Sequence, residues 1–324
     1  MRDIRVAAAQ FEHADGDTAK NLAVIRELAT QAVHQQRAEV VCFHECSLTG
    51  YTWLQRLSRE QLFELAEPLD GPSVNGLRAI SRELNAVVMA GLIERAGDRC
   101  YKAYVGVDER GEIVLHHRKL HPFIHPEITP GESFTVSEIR GVKFGCLICY
   151  DNNLPENVRI TALKGAEVVV MPHVTGCTPS HMVGRGPVDE SLWLNRDRDP
   201  ARLRAEFAGP KGRAWLMRWL PARAWENGVH VIFSNCIGQD GGTIKPGLAM
   251  ILDADGEVLV ESAALGNDVV TATLTAEGFQ WASGRRYLNA RRPVLYEALI
   301  APHPPGHVSQ TLPGWRRDFD CPPC

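Results

Sequence analysis

The sequence predicts an α/β fold made as one unit with two layered sheets. Segments of strand and helix character alternate through both halves of the chain, and no Pro/Gly/Ser-rich linker separates the halves. The strand segments are short runs of β-branched and apolar residues, as in buried strands, whereas the segments between them repeat their apolar residues at helical spacing.

In order, IRVAAAQF (4–11) and AEVVCF (38–43) read as buried strands around the helix-like TAKNLAVIRELATQAVHQQ (18–36). After an irregular stretch at 49–53, a helix in PSVNGLRAISRELN (72–85) leads to the strand AVVMAGLIE (86–94). KAYVGVD (102–108) and EIVLHHRKL (112–120) form a pair joined by the turn ERG. A strand follows at 141–148, a helix at 154–165, a third buried strand at 167–171 and a helical stretch at 212–227. VHVIFSN, GLAMILD and GEVLVE complete the series, the last two joined by a turn at 254–256. No repeat of fixed period is present.

Two segments stand outside this pattern. Residues 177–210 are a polar insertion punctuated by Gly and Pro, expected to be a loop that closes over a substrate pocket. Residues 301–324, ending in CPPC, are expected to form an extended arm, so the predicted domain is 1–300.

At 324 residues and 44% hydrophobic, the chain can bury a large core, and its formal charge of −4 offers no basic field for a nucleic-acid backbone. No stretch approaches the ~20 apolar residues of a membrane span, and the first apolar run is too short for a secretory signal. The expected location is the cytoplasm, without nucleic-acid or membrane partners. Nine cysteines, several inside apolar runs, suit reduced thiols better than a disulfide framework.

The stretch 141–159, GVKFGCLICYDNNLPENVR, sets Cys146 and Cys149 three apart. A redox pair of this spacing generally opens a helix, and in an extended run the two side chains would face opposite ways. Structural zinc needs about four ligands, and the other such pair, Cys321 and Cys324, lies in the tail. Cys146 reads as an inert buried thiol. Cys149 differs because it stands where the strand stops and polar residues begin, the position at which α/β proteins display functional groups. Two earlier strands end the same way, at Glu45 and at Lys119. Charged groups beside apolar strands are costly unless paired, so they are candidates for a site or for a buried ion pair.

FHECSLTGY, HRKLHPF and GCLICYDNNLPENVR together resemble, in order and spacing, the three signature regions of the nitrilase superfamily of carbon–nitrogen hydrolases. RAWENGVHVIFSN, the run at 247–256 and RRPVLYEAL extend the resemblance over roughly residues 4–300, apart from the insertion. It implies a four-layer α-β-β-α sandwich of two packed mixed sheets. It also implies Glu45 as general base, Lys119 as oxyanion stabiliser and Cys149 as nucleophile, with Glu127 as a second glutamate that orients substrate or holds Lys119; Glu132 competes for that place. Tyr51, Tyr150 and His173 are expected to line the substrate pocket. The family works without metal or organic cofactor, so His116, His117, His121 and His125 are taken as hydrogen-bonding groups, and Asp151 as the residue that fixes the turn after the nucleophile. The sequence departs from the family pattern at His44, where Pro is usual, at Asn153, and at Ala249, where Ser is frequent.

True nitrilases usually carry Trp and Glu after the nucleophile; Tyr150 and Asp151 look more like amidases and carbamoylases. The expected activity is therefore hydrolysis of a linear amide or N-carbamoyl small molecule through a cysteine thioester. The alternatives are nitrile hydrolysis, acyl transfer, or a non-catalytic scaffold. A homodimer or larger homo-oligomer is expected, paired through 154–165 and 212–227, with Trp215, Trp219 and Trp225 taken as exposed there.

Overall fold

A computed structural model describes residues 1–180 and 183–302. Nearly all of the expected arm at 301–324, with Cys321 and Cys324, lies outside the described residues. The first sheet contains β1 (Ile4–Gln10), β2 (Val40–Cys42), β3 (Val87–Ala96), β4 (Arg99–Val107) and β5 (Ile113–Arg118). The second begins with β6 (Thr135–Ile139), β7 (Val142–Cys146), β8 (Val168–His173) and β9 (His230–Asn235). A hairpin of β10 (Ile237–Asp240) and β11 (Thr243–Pro246) stands apart, and β12 (Met250–Leu252) and β13 (Val258–Glu261) finish the second sheet in the order β13-β12-β9-β8-β7-β6. β14 (Asp268–Leu274) returns to the first, giving β14-β1-β2-β3-β4-β5. Both sheets are mixed: β1, β2 and β3 run parallel, as do β7, β8 and β9, and the outer pairs are antiparallel.

The alternation of side chains along each strand explains the layers. On β1, Val6 and Ala8 join the core between the sheets, whereas Ala7 and Ala9 face helices. On β8, Val168 and Val170 point inward and Val169 and Met171 outward. Helices α1 (Thr18–Thr30) and α3 (Pro72–Leu84) cover the first sheet with Ile25, Leu28, Leu77 and Ile80, while α2 (Arg59–Leu65) lies on the loop side. Asp17 caps α1 by accepting from the Lys20 N–H, and α3 ends on Asn85 in the left-handed region at φ 51°. Across the second sheet, α4 (Pro155–Leu163) buries Val158 and Ala162. The architecture is the α-β-β-α sandwich.

The insertion corrects the expectation of a loop. It carries α5 (Glu190–Leu194) and α6 (Pro200–Ala208), capped by Asp189 and Asp199. Their Trp193, Leu203 and Phe207 pack with Ile237 and Ile244 of the β10–β11 hairpin. The expected helix at 212–227 divides into α7 (Arg213–Leu216) and α8 (Leu220–Trp225), because Pro221 has no N–H to continue α7 and instead opens a new helix. Trp219, taken as exposed, is 9% exposed and packs on His173, whereas Trp225 is 44% exposed. Two further helices, α9 (Ala276–Trp281) and α10 (Ser283–Asn289), follow β14. None of the described helices is long and apolar enough to cross a membrane.

Candidate active site

Glu45 lies just beyond β2, where the chain turns across β3. That approach needs Gly91: a Cβ there would stand 2.4 Å from the Cys46 nitrogen. The turn is held by Ser47 Oγ, which accepts from the Gly91 N–H, and by Asn21, which donates to the Leu48 carbonyl. Behind it, His44 Nε2 lies 3.1 Å from His13 Nδ1, and His13 Nε2 lies 3.3 Å from Asp240, which also accepts from the Thr52 N–H and hydroxyl. Burial, with His13 alongside, pushes the His44 pKa well down. Glu45 is 2% exposed.

The pairing of β4 with β5 supplies two lysines. Ala103 stands opposite Arg118, and the next residue, Lys119, donates its backbone N–H to the Lys102 carbonyl at 2.8 Å. Lys119 Nζ lies 2.6 Å from Glu45 Oε1, and Lys102 Nζ lies 3.8 Å from the same oxygen. Lys102 Nζ also donates to the Phe123 carbonyl at 2.9 Å and stands 4.0 Å from the Tyr51 ring centre. Burial disfavours the Lys119 cation, yet Glu45, Cys149 and Asp151 outweigh it and hold its pKa well above the usual value. For Lys102, burial, with Lys119 acting in the same direction, outweighs Glu45 and brings the pKa to about 8.

Cys149 starts a single 3₁₀ turn, Cys149–Asn153, at φ 52°, a strained conformation for a residue with a Cβ. Asp151 fixes the turn: its carboxylate accepts from the backbone N–H groups of Ile148, Leu120 and His121, joining the nucleophile turn to the segment after Lys119. From α8, Arg223 donates to the Asn152 and Asn153 carbonyls. Burial raises the Cys149 pKa to about 12, against the opposing pull of Lys119. The resting group is thus a thiol, and its ionisation needs a base during attack. Glu45 Oε2 is buried with no hydrogen-bond partner among the described residues, so it is the oxygen left to take that proton.

Because β7 ends at Cys146, two residues before the expected strand end, Cys149 is not part of an extended run. Cys146 and Cys149 both join the core between the sheets, so opposite strand faces do not separate them; both are free thiols.

Tyr51 is buried beside the lysines, and its hydroxyl has no partner among the described residues. Tyr150 is partly exposed and meets the rings of His121 and Phe123. His173 is buried under the nucleophile turn, 3.1 Å from Asn152 Nδ2 and between Trp219 and Phe233. Glu127 is not brought to the centre. Ile128 turns inward to bridge Cys100, so the neighbouring Glu127 side chain points outward and pairs with Arg59 at 3.1 Å rather than holding Lys119. Glu132 is exposed. The group that does join Glu45 and Lys119 is Lys102, which sequence reasoning missed. Its signal was a lysine two residues before Tyr104 on one face of a buried strand.

Of the histidines, His116 meets Glu94, His121 meets Asp151, His117 meets Thr135 and His125 meets the Leu57 carbonyl. Among the described residues, one group could offer three ligand atoms to a metal: His13, Asp15 and Asp240. Thr52 already donates to both Asp240 oxygens, and Lys245 stands 3.7 Å away, so the cluster serves as an anchor for the Glu45 turn. A cavity of about 600 Å³ opens between His13, Arg56 and Glu190, not at Cys149. The chemistry is placed by the reactive groups rather than by this larger space.

The family profile described as carbon–nitrogen hydrolase matches residues 5–282. The chain belongs to the carbon–nitrogen hydrolase family. An (R)-stereoselective amidase from a Pseudomonas species is 32% identical over 298 residues, 90% of this chain and 93% of its own length. An N-carbamoylputrescine amidase from Arabidopsis thaliana is 28% identical over 318 residues, 92% and 96% of the two chains. A solved amidase of the nitrilase superfamily from Nesterenkonia AN1 has the same fold, with a TM-score of 0.68 and 22% identity over 92% of this chain and 97% of that one. This carbon–nitrogen hydrolase is therefore an enzyme of amidase and carbamoylase type.

Proposed function

We propose that the enzyme hydrolyses the C–N bond of a linear amide or N-carbamoyl small molecule, with Cys149 as nucleophile. The observation that carries this reading is the asymmetry of Glu45: Oε1 is held by Lys119, and Oε2 has no partner among the described residues. Glu45 takes the thiol proton as Sγ attacks the carbonyl carbon; Lys119 and the Tyr150 backbone N–H donate to the oxyanion. As the tetrahedral species collapses, the proton passes from Glu45 to the nitrogen, which leaves as ammonia or an amine. The thioester that remains is attacked by a water that Glu45 deprotonates, releasing the acid and restoring the thiol. Every step uses side chains, backbone and water.

Supporting this, the Nesterenkonia amidase carries the acetamide moiety of fluoroacetamide covalently at its active-site cysteine. The same reading includes a homodimer or larger assembly. Ile160 and Leu163 on α4, Trp225 on α8 and Tyr287 on α10 are exposed and apolar, and Arg159 on α4 feels the charge of Glu226 and Arg291, which puts these elements side by side. The test is ammonia release from linear amides, ureido compounds and nitriles, with intact mass of the protein during turnover. Turnover of amides or ureido compounds with an acylated Cys149 is expected; consumption of nitriles alone would replace this reading with nitrile hydrolysis.

A further inference from the structure

The buried charges around Cys149 do not balance. Lys119 and Lys102 are 0% and 1% exposed, and both lean on one oxygen of Glu45. With Cys149 protonated, two cations face one anion. Transfer of the thiol proton to Glu45, and attack on a neutral carbonyl, move charge within the cluster without changing its sum. The other nearby carboxylates are committed: Asp151 to backbone N–H groups, Asp240 to Thr52, Glu94 to Arg118 and Glu127 to Arg59. A buried surplus charge is costly unless a partner arrives.

Two donors are available to that partner. Lys102 directs one N–H to the Phe123 carbonyl and leans over the Tyr51 ring, leaving donor capacity unused. The Tyr51 hydroxyl has no acceptor among the described residues, and burial together with Glu45 pushes its pKa well up, so it stays a donor. We propose that Lys102 and Tyr51 form a subsite for a carboxylate, so that the enzyme acts on amides or ureido compounds that also carry a carboxylate group. This rests on the hydrolase reading above and narrows its substrate class. Lys102 Nζ is 4.0 Å and Lys119 Nζ 5.9 Å from the centre of the same Tyr51 ring, so the carboxylate and oxyanion positions are close and suit a short chain between the two functions.

Three matched pairs test it: the monoamide of succinic acid against butanamide, that of glutaric acid against pentanamide, and 3-ureidopropionate against propylurea. The expected kcat/KM is about 10- to 100-fold higher for the acid of at least one pair, the scale of a hydrogen bond to a charged group. Lys102→Met should bring the ratio towards one, Lys102→Arg should keep part of it, and Tyr51→Phe should lower it several-fold. In the wild type, Lys102 faces Glu45, Lys119, Cys46, Cys149 and Tyr51 and has a pKa of about 8. Its charge is lost above that pH, so KM for the acids should rise there relative to KM for the neutral partners. Calorimetric binding to Cys149→Ala reads the same preference without turnover. A neutral member preferred in every pair, or a ratio unmoved by Lys102→Met, would overturn the subsite. Preferential binding of the acids with no turnover would support it and overturn the hydrolysis reading instead.

Discussion

Lys119 Nζ lies 2.6 Å from Glu45 Oε1, while Glu45 Oε2, on the same buried carboxylate, has no hydrogen-bond partner among the described residues. One oxygen is fixed and the other is left to accept a proton. The ammonium that fixes the carboxylate also carries donors for an oxyanion, so base and electrophile are positioned by one contact. Asp151 links this pair to the nucleophile turn through the backbone after Lys119.

Glu45→Gln keeps an acceptor for Lys119 and loses the proton-accepting group. Its kcat is expected to fall by about 10²–10⁴ in a folded protein. Lys119→Ala should lose about 10²–10³ and melt at a lower temperature, since Glu45 is then left with the more distant Lys102. Steady-state rates and melting curves check both; near-normal turnover by Glu45→Gln would show that another base acts.

Cys149→Ala should abolish turnover, and Cys146→Ala should keep most of it at a stability cost of about 1 kcal/mol. Both thiols lie in the core between the sheets, but only Cys149 occupies the strained turn and lies within electrostatic reach of Lys119 and Glu45. Comparable activity losses in two folded variants would remove the nucleophile assignment.

Acid should destabilise the fold through two buried carboxylates. Burial alone would raise the Asp151 pKa from its ordinary 3.8, but His117, His121 and Lys119 hold it well below. Glu94 is brought from 4.5 to about 2, Arg118 and His116 outweighing burial. Because both folded-state values are depressed, their stabilisation is fully present above about pH 4.5 and is lost as pH falls from there. The melting temperature of the wild type should drop steeply between about pH 4.5 and 2, and that of Asp151→Asn, already lower at pH 7, should drop less. Parallel curves would mean that Asp151 is not a source of the acid loss.

The sheets were legible because period-2 and helical spacings survive in every core segment, and Glu45, Lys119 and Cys149 were legible because each is a polar group at the end of an apolar run. Lys102 was hidden inside such a run, where its charge is tolerated through Glu45, the Phe123 carbonyl and the Tyr51 ring, contacts that only the fold creates. Glu127 failed for the opposite reason: motif spacing cannot tell which of two neighbouring side chains turns inward, and Ile128 takes the inward position. The helices of the insertion were masked by its polarity, although Asp189 and Asp199 mark their starts.

Assembly should depend on the apolar residues of α4 and α8. The protein is expected to run at twice the mass of one chain or more in sizing with light scattering, and Leu163→Glu with Trp225→Glu should shift it towards one chain. Both side chains are exposed, so the substitutions spare the core of the subunit. A fully active wild-type monomer would refute the assembly.

The insertion at 177–210 is expected to act on substrate entry and on stability together. It leaves β8 just after Val174, whose carbonyl lies 3.9 Å from Cys149 Sγ, and it returns where the Cys177 N–H donates to the Lys211 carbonyl. Movement of its base is thereby coupled to the wall beside the nucleophile. Its Trp193 and Phe207 also bury the apolar side of the β10–β11 hairpin, and that hairpin carries Asp240, the anchor of the Glu45 turn. Replacing 178–209 by a short Gly/Ser link should therefore lower the melting temperature by exposing Ile237 and Ile244. The milder Arg185→Ala removes only a guanidinium stacked 3.8 Å from the Trp215 ring, and should change KM among substrates of different size while leaving the melting temperature nearly unchanged. If the substrate profile of Arg185→Ala and that of the shortened protein both match the wild type, the insertion is a structural brace and not a lid.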